Sequence, residues 1–190
     1  MKDEKWKKIK TERVFDHKFF KVNRDMVKLP DGRKVEWIYW DSRDSTMVVP
    51  VTAYNKLVMI KQYRYLPDQI ALEFPSGRSN ESESLEDCVR RELKEETGYS
   101  CGEVIRLGEF YETMAQLNRK IHIYLAKDVK TSAEDKKKFK STEPDEYEET
   151  EVVLLDSNEI VKMVMQNKVV SMGSSLAVLL AEKYLLNKNF

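Results

Sequence analysis

Along the first third of the chain, apolar and polar residues alternate as they do in strands. Residues 14–29 are rich in Val and Phe with Lys and Arg interspersed, Pro30-Asp31-Gly32 makes a turn, and residues 34–40 alternate again, which predicts an N-terminal β-hairpin. Residues 47–53 and 57–62 predict a second strand pair around Tyr54-Asn55-Lys56. The pattern then changes period. From Ser84 to Thr97 there is no Pro or Gly, Ser84 with Asp87 three residues on suits an N-cap, and Gly98 lies where a C-cap glycine belongs, so this stretch reads as a helix. Residues 104–111 and 121–129 read as strands, residues 130–150 as a charged loop and residues 151–155 as a further strand. Two helices close the chain: Asp156 with Glu159 resembles a capping box for the first, and residues 176–186 are apolar enough to pack as the second. There is no internal repeat and no low-complexity linker.

The helix over residues 84–97 carries the chemistry. At about 100° per residue from Leu85, Val89 falls at about 40° and Cys88 at about 300°, while Glu92 falls at about 340° and Glu96 at about 20°. Two carboxylates therefore share the apolar stripe, with Glu95 at its edge, and Glu86, Asp87, Arg90 and Lys94 lie on the far side. Two like charges roughly 5 Å apart repel by about 3 kcal/mol at an effective dielectric of about 20, before desolvation is counted. Something positive must offset this. A hard divalent cation such as Mg²⁺ or Mn²⁺ suits carboxylate-only ligation without His or Cys nearby. A structural ion pair, with Arg91 or Arg90 neutralising one Glu, is the other solution.

The positions around this helix are more specific. Gly77, Glu83 and then Arg91-Glu92-Leu93-Lys94-Glu95-Glu96-Thr97-Gly98 reproduce G-x5-E-x7-R-E-U-x-E-E-x-G-U, the Nudix box, at every charged and glycine position; only the last aliphatic is replaced, by Tyr99. The chain resembles the Nudix hydrolase superfamily. That resemblance implies an α/β (α+β) fold, an α/β/α sandwich with a mixed β-sheet, and metal-dependent hydrolysis of a nucleoside diphosphate linked to another moiety. It implies Glu92 and Glu96 as primary metal ligands with Glu95 as a further one, Glu83 and Arg91 as the pair orienting the helix, and Gly77 opening the loop that approaches the metal.

Upstream, Gln62-Tyr63-Arg64 and Leu72-Glu73-Phe74-Pro75-Ser76-Gly77 are similar to stretches of ADP-ribose and nucleoside diphosphate sugar pyrophosphatases. In that group the residue before the glycine gives its carbonyl to the metal, a role open to Ser76 because every residue has a carbonyl. Arg64 and Arg78 are candidates for phosphate or base contacts, or else solvated surface arginines. The group usually carries a Ser-Pro-Gly-like turn after the box, whereas this chain reads Tyr111-Glu112-Thr113-Met114-Ala115-Gln116-Leu117-Asn118, so GDP-mannose stands beside ADP-ribose as an expected substrate. The resemblance also implies an N-terminal β-hairpin subdomain, residues 1–46, exchanged between two subunits, ahead of the hydrolase domain, residues 47–190. A hairpin alone is marginal and needs something to pack on. Its aromatics are Trp37, Tyr39 and Trp40; Trp37 is the candidate base platform, although such an aromatic is more often a core or interface residue. In the acidic run of residues 143–151, Glu146 and Glu148 are candidates to take the proton of the attacking water, with Glu146 favoured; an acidic run is also commonly a solvated loop.

Composition removes other classes. The 190 residues are 41% hydrophobic and carry a formal net charge of zero, with 33 Lys and Arg against 33 Asp and Glu, which argues against a nucleic-acid binder built on a broad basic face. No apolar run is long enough to span a bilayer and the N-terminus lacks a signal-peptide core, so a cytoplasmic protein with no membrane partner is expected. Two cysteines, Cys88 on the helix and Cys101 after it, suggest neither a disulfide framework nor a zinc site. The expected activity is a Mg²⁺-dependent pyrophosphohydrolase yielding a nucleoside monophosphate and a sugar phosphate. The alternatives are a dinucleotide pyrophosphatase, acting on NADH or a diadenosine polyphosphate, and a non-catalytic nucleotide-sugar-binding module.

Overall fold

The structure is a computed structural model that describes residues 5–132 and 150–185. Two compact units are present, one of Met1–Asp44 with Phe110–Lys120 and one of Ser45–Glu109 with Ile121–Phe190. In the first unit, β2 (Lys21–Lys28) and β3 (Lys34–Asp41) form the expected antiparallel hairpin, closed by a turn in which Gly32, at φ +91°, donates to the Leu29 carbonyl. Glycine adopts that conformation without the steric cost a side chain would bring. The stretch read as one strand over residues 14–29 is interrupted by a turn in which the backbones of His17 and Phe20 exchange hydrogen bonds. Before that turn, β1 (Lys7–Asp16) pairs antiparallel with β2, so the lysine-rich N-terminus adds a third strand, every residue of it exposed.

Residues 110–120 complete this unit. The Trp40 amide donates to the Gln116 carbonyl at 2.7 Å, the Trp37 indole N–H to the Ala115 carbonyl at 3.0 Å, and the Ser42 amide to Asn118 Oδ1 at 2.9 Å. The Trp40 ring stacks on Phe20 with centroids 4.9 Å apart and carries the Arg119 guanidinium 5.1 Å from its centroid. Trp40 is thus already engaged by two partners.

The second unit is built on two sheets. One has the order β10 (Thr150–Asp156), β5 (Lys56–Arg64), β6 (Gln69–Glu73), all antiparallel. The other has the order β7 (Ser76–Arg78), β4 (Ser45–Pro50), β9 (Lys120–Ala126), β8 (Val104–Tyr111), with β4 antiparallel to β7 and parallel to β9, so the sheet is mixed. The completely buried run of β4 is what a central strand covered on both faces requires.

Helix α1 (Leu85–Thr97) covers one face. Ser84 caps it, accepting from the Asp87 amide at 3.1 Å, and Gly98 ends it at φ +72° in the left-handed region, donating to the Lys94 carbonyl. Its Val89 and Leu93 pack with Val48, Val58, Tyr124, Ala126 and Val129, and Tyr99, the departure from the box, is buried in the same cluster. An aromatic is therefore accommodated where an aliphatic was expected. Helix α2 (Ser157–Met165) opens on Asp156, which accepts from the Asn158 amide, and α3 (Met172–Leu185) covers the opposite face: a side-chain carbon added at Gly173 would meet Met47 and Ile121. Helices thus lie on both faces of the sheet, the sandwich expected. Among the described residues no helix is long and apolar enough to cross a membrane. Both cysteines are free thiols, Cys88 buried and Cys101 half-buried.

Leu93, fully buried where α1 meets the sheets, carries much of this packing. Leu93→Ala is expected to lower unfolding free energy by about 2–5 kcal/mol in a urea titration, the range for truncating a buried Leu that leaves a cavity; a loss within about 0.5 kcal/mol would mean that α1 is not docked as described.

Candidate active site

One turn of α1 and the strand opposite it bring the expected residues together. The Arg91 guanidinium is the centre. Its Nε and Nη2 donate to the two oxygens of Glu83 at 2.8 and 3.0 Å, a bidentate pair. Nη1 donates to Glu92 Oε1 at 2.7 Å and Glu95 Oε2 at 2.9 Å, and Nη2 also reaches the Arg78 carbonyl at 3.1 Å. Glu96 accepts from the Ser76 backbone amide at 3.1 Å, which ties the end of the helix to the start of β7. Gly77 lies so close to Glu92 that an added side-chain carbon would overlap the carboxylate and displace it from its present place against the strand.

The electrostatics follow from these contacts. Arg91 and the Asn80 amide hold the Glu83 carboxyl down at about 2, well below its ordinary 4.5, and Glu83 in turn raises the guanidinium further. Glu92, whose side chain is only 12% exposed, is pushed up by burial, and the neighbouring Arg91 charge opposes that rise. Burial that prevails even beside an adjacent guanidinium leaves this carboxylate short of positive charge. The oxygens of Glu92, Glu95 and Glu96 with the Ser76 carbonyl are the expected donors, and an all-oxygen set of that kind would suit a hard divalent cation. Among the described residues no three acidic, His or Cys side chains converge on one point, because Arg91 holds Glu92 and Glu95 while Glu96 is bonded to the Ser76 amide.

The other expected positions are distributed as follows. Arg64 is bound to Glu73 across β5 and β6, with Nε 2.9 Å from Glu73 Oε2. Arg78 ends β7, its side chain exposed and its carbonyl bonded to Arg91. Trp37 belongs to the first unit, half-turned to solvent, its indole N–H bonded to Ala115 and its ring edge-on to Trp6 at 5.7 Å. Glu146 and Glu148 lie outside the described residues. Sequence reasoning does not single out Glu73 or the Cys88 thiol, which accepts from Thr46 Oγ1 at 3.2 Å beneath the site. Hairpin register places Gln69 opposite Arg64 and Ile60 opposite Glu73 on the same face, so the Arg64 side chain reaches along the strand to Glu73.

The Glu83 pair has a pH signature. A carboxyl held below its ordinary value stabilises the folded state above that value, and the contribution disappears as pH falls from about 4.5 towards about 2. Glu83→Gln should therefore be less stable than the parent at about pH 6, with the gap closing across that acid window in urea titrations at several pH values. A gap that stays constant to the acid end would show that the ion pair does not stabilise the fold.

Comparison with known proteins agrees with this geometry. Residues 41–171 match the NUDIX domain family model, and residues 6–37 match the nucleoside diphosphate sugar hydrolase N-terminal domain. The chain is 29% identical over 172 residues to the methanol dehydrogenase activator of Bacillus methanolicus, covering 90% of each chain. It is 27% identical over 178 residues to the ADP-ribose pyrophosphatase of Bacillus subtilis (strain 168), covering 94% of this chain and 93% of that one. A crystal structure of an ADP compounds hydrolase superposes with a TM-score of 0.80 at 20% identity, over 98% of this chain and 97% of that one, and shows the same fold. With the family model spanning most of the chain and the box residues gathered around Arg91, the protein belongs to the Nudix family and is a hydrolase of pyrophosphate bonds.

Proposed function

We propose that the protein hydrolyses the pyrophosphate link of nucleoside diphosphate sugars, ADP-ribose foremost and GDP-mannose as the second substrate to test. The observation that carries this reading is the gathering of Glu83, Glu92 and Glu95 on one guanidinium, with Glu96 on the Ser76 amide, at a strand whose Gly77 admits a carboxylate against its backbone. The matched N-terminal domain and the B. subtilis relative supply the substrate class. The resident cation is proposed as Mg²⁺, with Mn²⁺ a substitute, held by Glu92, Glu95, Glu96 and the Ser76 carbonyl. When bound, it supplies positive charge against the diphosphate and acidifies water.

The chain's own groups do the rest. Arg91 fixes the orientation of Glu92 while Glu83 fixes Arg91. Arg64 and Arg78 contact the phosphates or the base, and Trp37 offers a face to the base. A water oxygen bonds to one phosphorus, the anhydride P–O bond breaks, and Glu146, or Glu148 beside it, accepts the water's proton. A nucleoside monophosphate and a sugar phosphate leave. A dinucleotide such as NADH presents the same bond and belongs in the same substrate panel.

The first unit is proposed to mediate homodimerisation. Trp6, Phe15, Phe19 and Ile38 are exposed apolar side chains on and beside its small sheet, more apolar surface than a lone sheet of this size keeps in water without a partner.

Two measurements test these proposals. Phosphate release coupled to alkaline phosphatase, with Mg²⁺, is expected to show hydrolysis of ADP-ribose or GDP-mannose, while Glu92→Gln and Glu96→Gln should each lose at least roughly 100-fold in kcat with melting temperature retained, the scale of removing one stabiliser of transition-state charge. Full turnover by Glu96→Gln at saturating Mg²⁺ would remove the metal-ligand assignment. Light scattering on the full chain is expected to give about twice the monomer mass, and Phe15→Glu with Ile38→Glu should shift it towards the monomer. A monomeric parent protein would overturn the dimer.

A further inference from the structure

One small side chain of α1 meets three groups around the carboxylate cluster at once. Cys88 is completely buried, and its Sγ lies 3.2 Å from the Thr46 hydroxyl on β4, 3.5 Å from Arg91 Nη2 and 3.9 Å from the Gly77 carbonyl on β7. Local geometry accounts for the convergence. Thr46 and Gly77 are register partners of β4 and β7, so one helix side chain can reach both. Cys88 stands three positions before Arg91 on the helix, and helical side chains lean towards the N-terminus, so the Arg91 side chain passes over Cys88 on its way back to Glu83.

Three features separate this contact from the apolar packing of Val89 and Leu93 on the same helix. Thr46 is 1% exposed and its hydroxyl donates to Sγ, and a buried hydroxyl deprived of its acceptor is costly. Burial pushes the Cys88 thiol up, so the sulfur keeps its proton and can face the Gly77 carbonyl as a donor while it accepts from Thr46 and Arg91. Finally, Gly77 and Arg91 are the two groups that decide where Glu92 lies: Gly77 leaves the space the carboxylate fills, and Arg91 Nη1 bonds its Oε1 at 2.7 Å.

We infer that Thr46 and Cys88 are a positioning pair for the hydrolytic site: the Thr46 hydroxyl orients the Cys88 thiol, and the thiol holds the Arg91 guanidinium and the Gly77 carbonyl at the separation that Glu92 fits. Both residues are buried beneath the site, so neither touches substrate. The inference rests on the proposed pyrophosphatase reading for the reaction the pair serves, and it adds two residues to those that determine turnover. Each sulfur contact is weak by itself, because a thiol is a weak donor and a weak acceptor. Their effect is geometric: a small displacement of either wall moves the Glu92 carboxylate, and catalytic groups tolerate little misplacement. Alanine at 88 removes all three contacts and strips the Thr46 hydroxyl of its acceptor, whereas serine supplies a hydroxyl that can make them again.

The test compares Cys88→Ala, Cys88→Ser and Thr46→Val with the parent, all as full chains, in three readouts. These are steady-state kinetics on ADP-ribose and GDP-mannose with Mg²⁺, Mn²⁺ binding by electron paramagnetic resonance, and solvent exchange of the Arg91 Nε proton by NMR, the resonance being assigned by its loss in Arg91→Lys. Cys88→Ala and Thr46→Val are each expected to lower kcat by about tenfold with KM within about threefold of the parent, the signature of lost geometry in the reacting complex. Both should also weaken Mn²⁺ binding and speed Arg91 proton exchange by at least about threefold, as loss of one restraining hydrogen bond implies. Cys88→Ser should return all three readouts towards the parent. Because Thr46 acts through the thiol, the Thr46→Val, Cys88→Ala double variant should be no worse than Cys88→Ala. Thr46→Val preserves side-chain shape and carries the comparison should Cys88→Ala fail to fold. A lower melting temperature with parental kcat, Mn²⁺ affinity and Arg91 exchange would reduce the pair to packing and overturn the inference. So would a Cys88→Ser variant as impaired as Cys88→Ala, or additive losses in the double variant. A parent that cleaves neither compound would sink the proposed function instead, and Mn²⁺ binding with Arg91 exchange would then decide whether the pair positions the site.

Discussion

Everything at the site depends on one guanidinium compensating three carboxylates. Glu83, Glu92 and Glu95 all bond to Arg91, and all four residues come from a single turn-and-helix segment. Without that charge, Glu92 would sit largely buried beside its acidic neighbours, with repulsion of about 3 kcal/mol per close pair at an effective dielectric of about 20. The balance is nevertheless incomplete, because one positive charge faces three negative ones. The carboxyl nearest full compensation, Glu83, is held low at about 2, whereas Glu92 is driven up by burial. A segment tuned in this way keeps a standing demand for further positive charge, and under the proposed metal site its carboxylate oxygens would suit a hard cation.

That demand can be met only if the helix is anchored independently of the charges. The anchor is apolar: Val89 and Leu93 sink into the cluster around Val48, Val58 and Tyr124, and Ser84 and Gly98 fix the two ends. The charged face is therefore presented by a helix whose position is already determined. Gly77 leaves the opposite wall open to Glu92, whose carboxylate occupies the space a side chain at 77 would take. Packing and charge divide the labour along one helix, and the i, i+4 spacing of Glu92 and Glu96 allows both to act at the same edge.

This division explains what could be read from the chain. The α1 helix, its caps and its carboxylate stripe follow from a 3.6-residue period that is strong over thirteen residues, and the box positions are local in sequence. The short strands were not legible: β7 has three residues and β6 five, too few to show a period, and both owe their structure to pairing with distant β4 and β5. β1 was hidden for a different reason. Its lysine-rich, fully exposed sequence reads as a solvated segment, and only its pairing with β2 makes it a strand. The return of residues 110–120 to the first unit is a long-range event with no local signature. Arg64 was visible as a charged residue, but its tie to Glu73 runs along the strand past its register partner Gln69 and has no signature in the sequence.

The two arginine pairs of the second unit show why a contact type alone does not reveal a role. Arg91 and Arg64 both bond to half-buried carboxylates at ordinary distances. Arg91 is used on all three of its nitrogens, by carboxylates and a carbonyl, so its work lies inside the protein. Arg64 is restrained through one oxygen of Glu73 by two of its nitrogens. Arg119 meets Glu112 in the same single-oxygen way, so the extent to which a guanidinium is committed follows from how many carboxylates the local chain brings to it, and the helix spacing around Arg91 brings three.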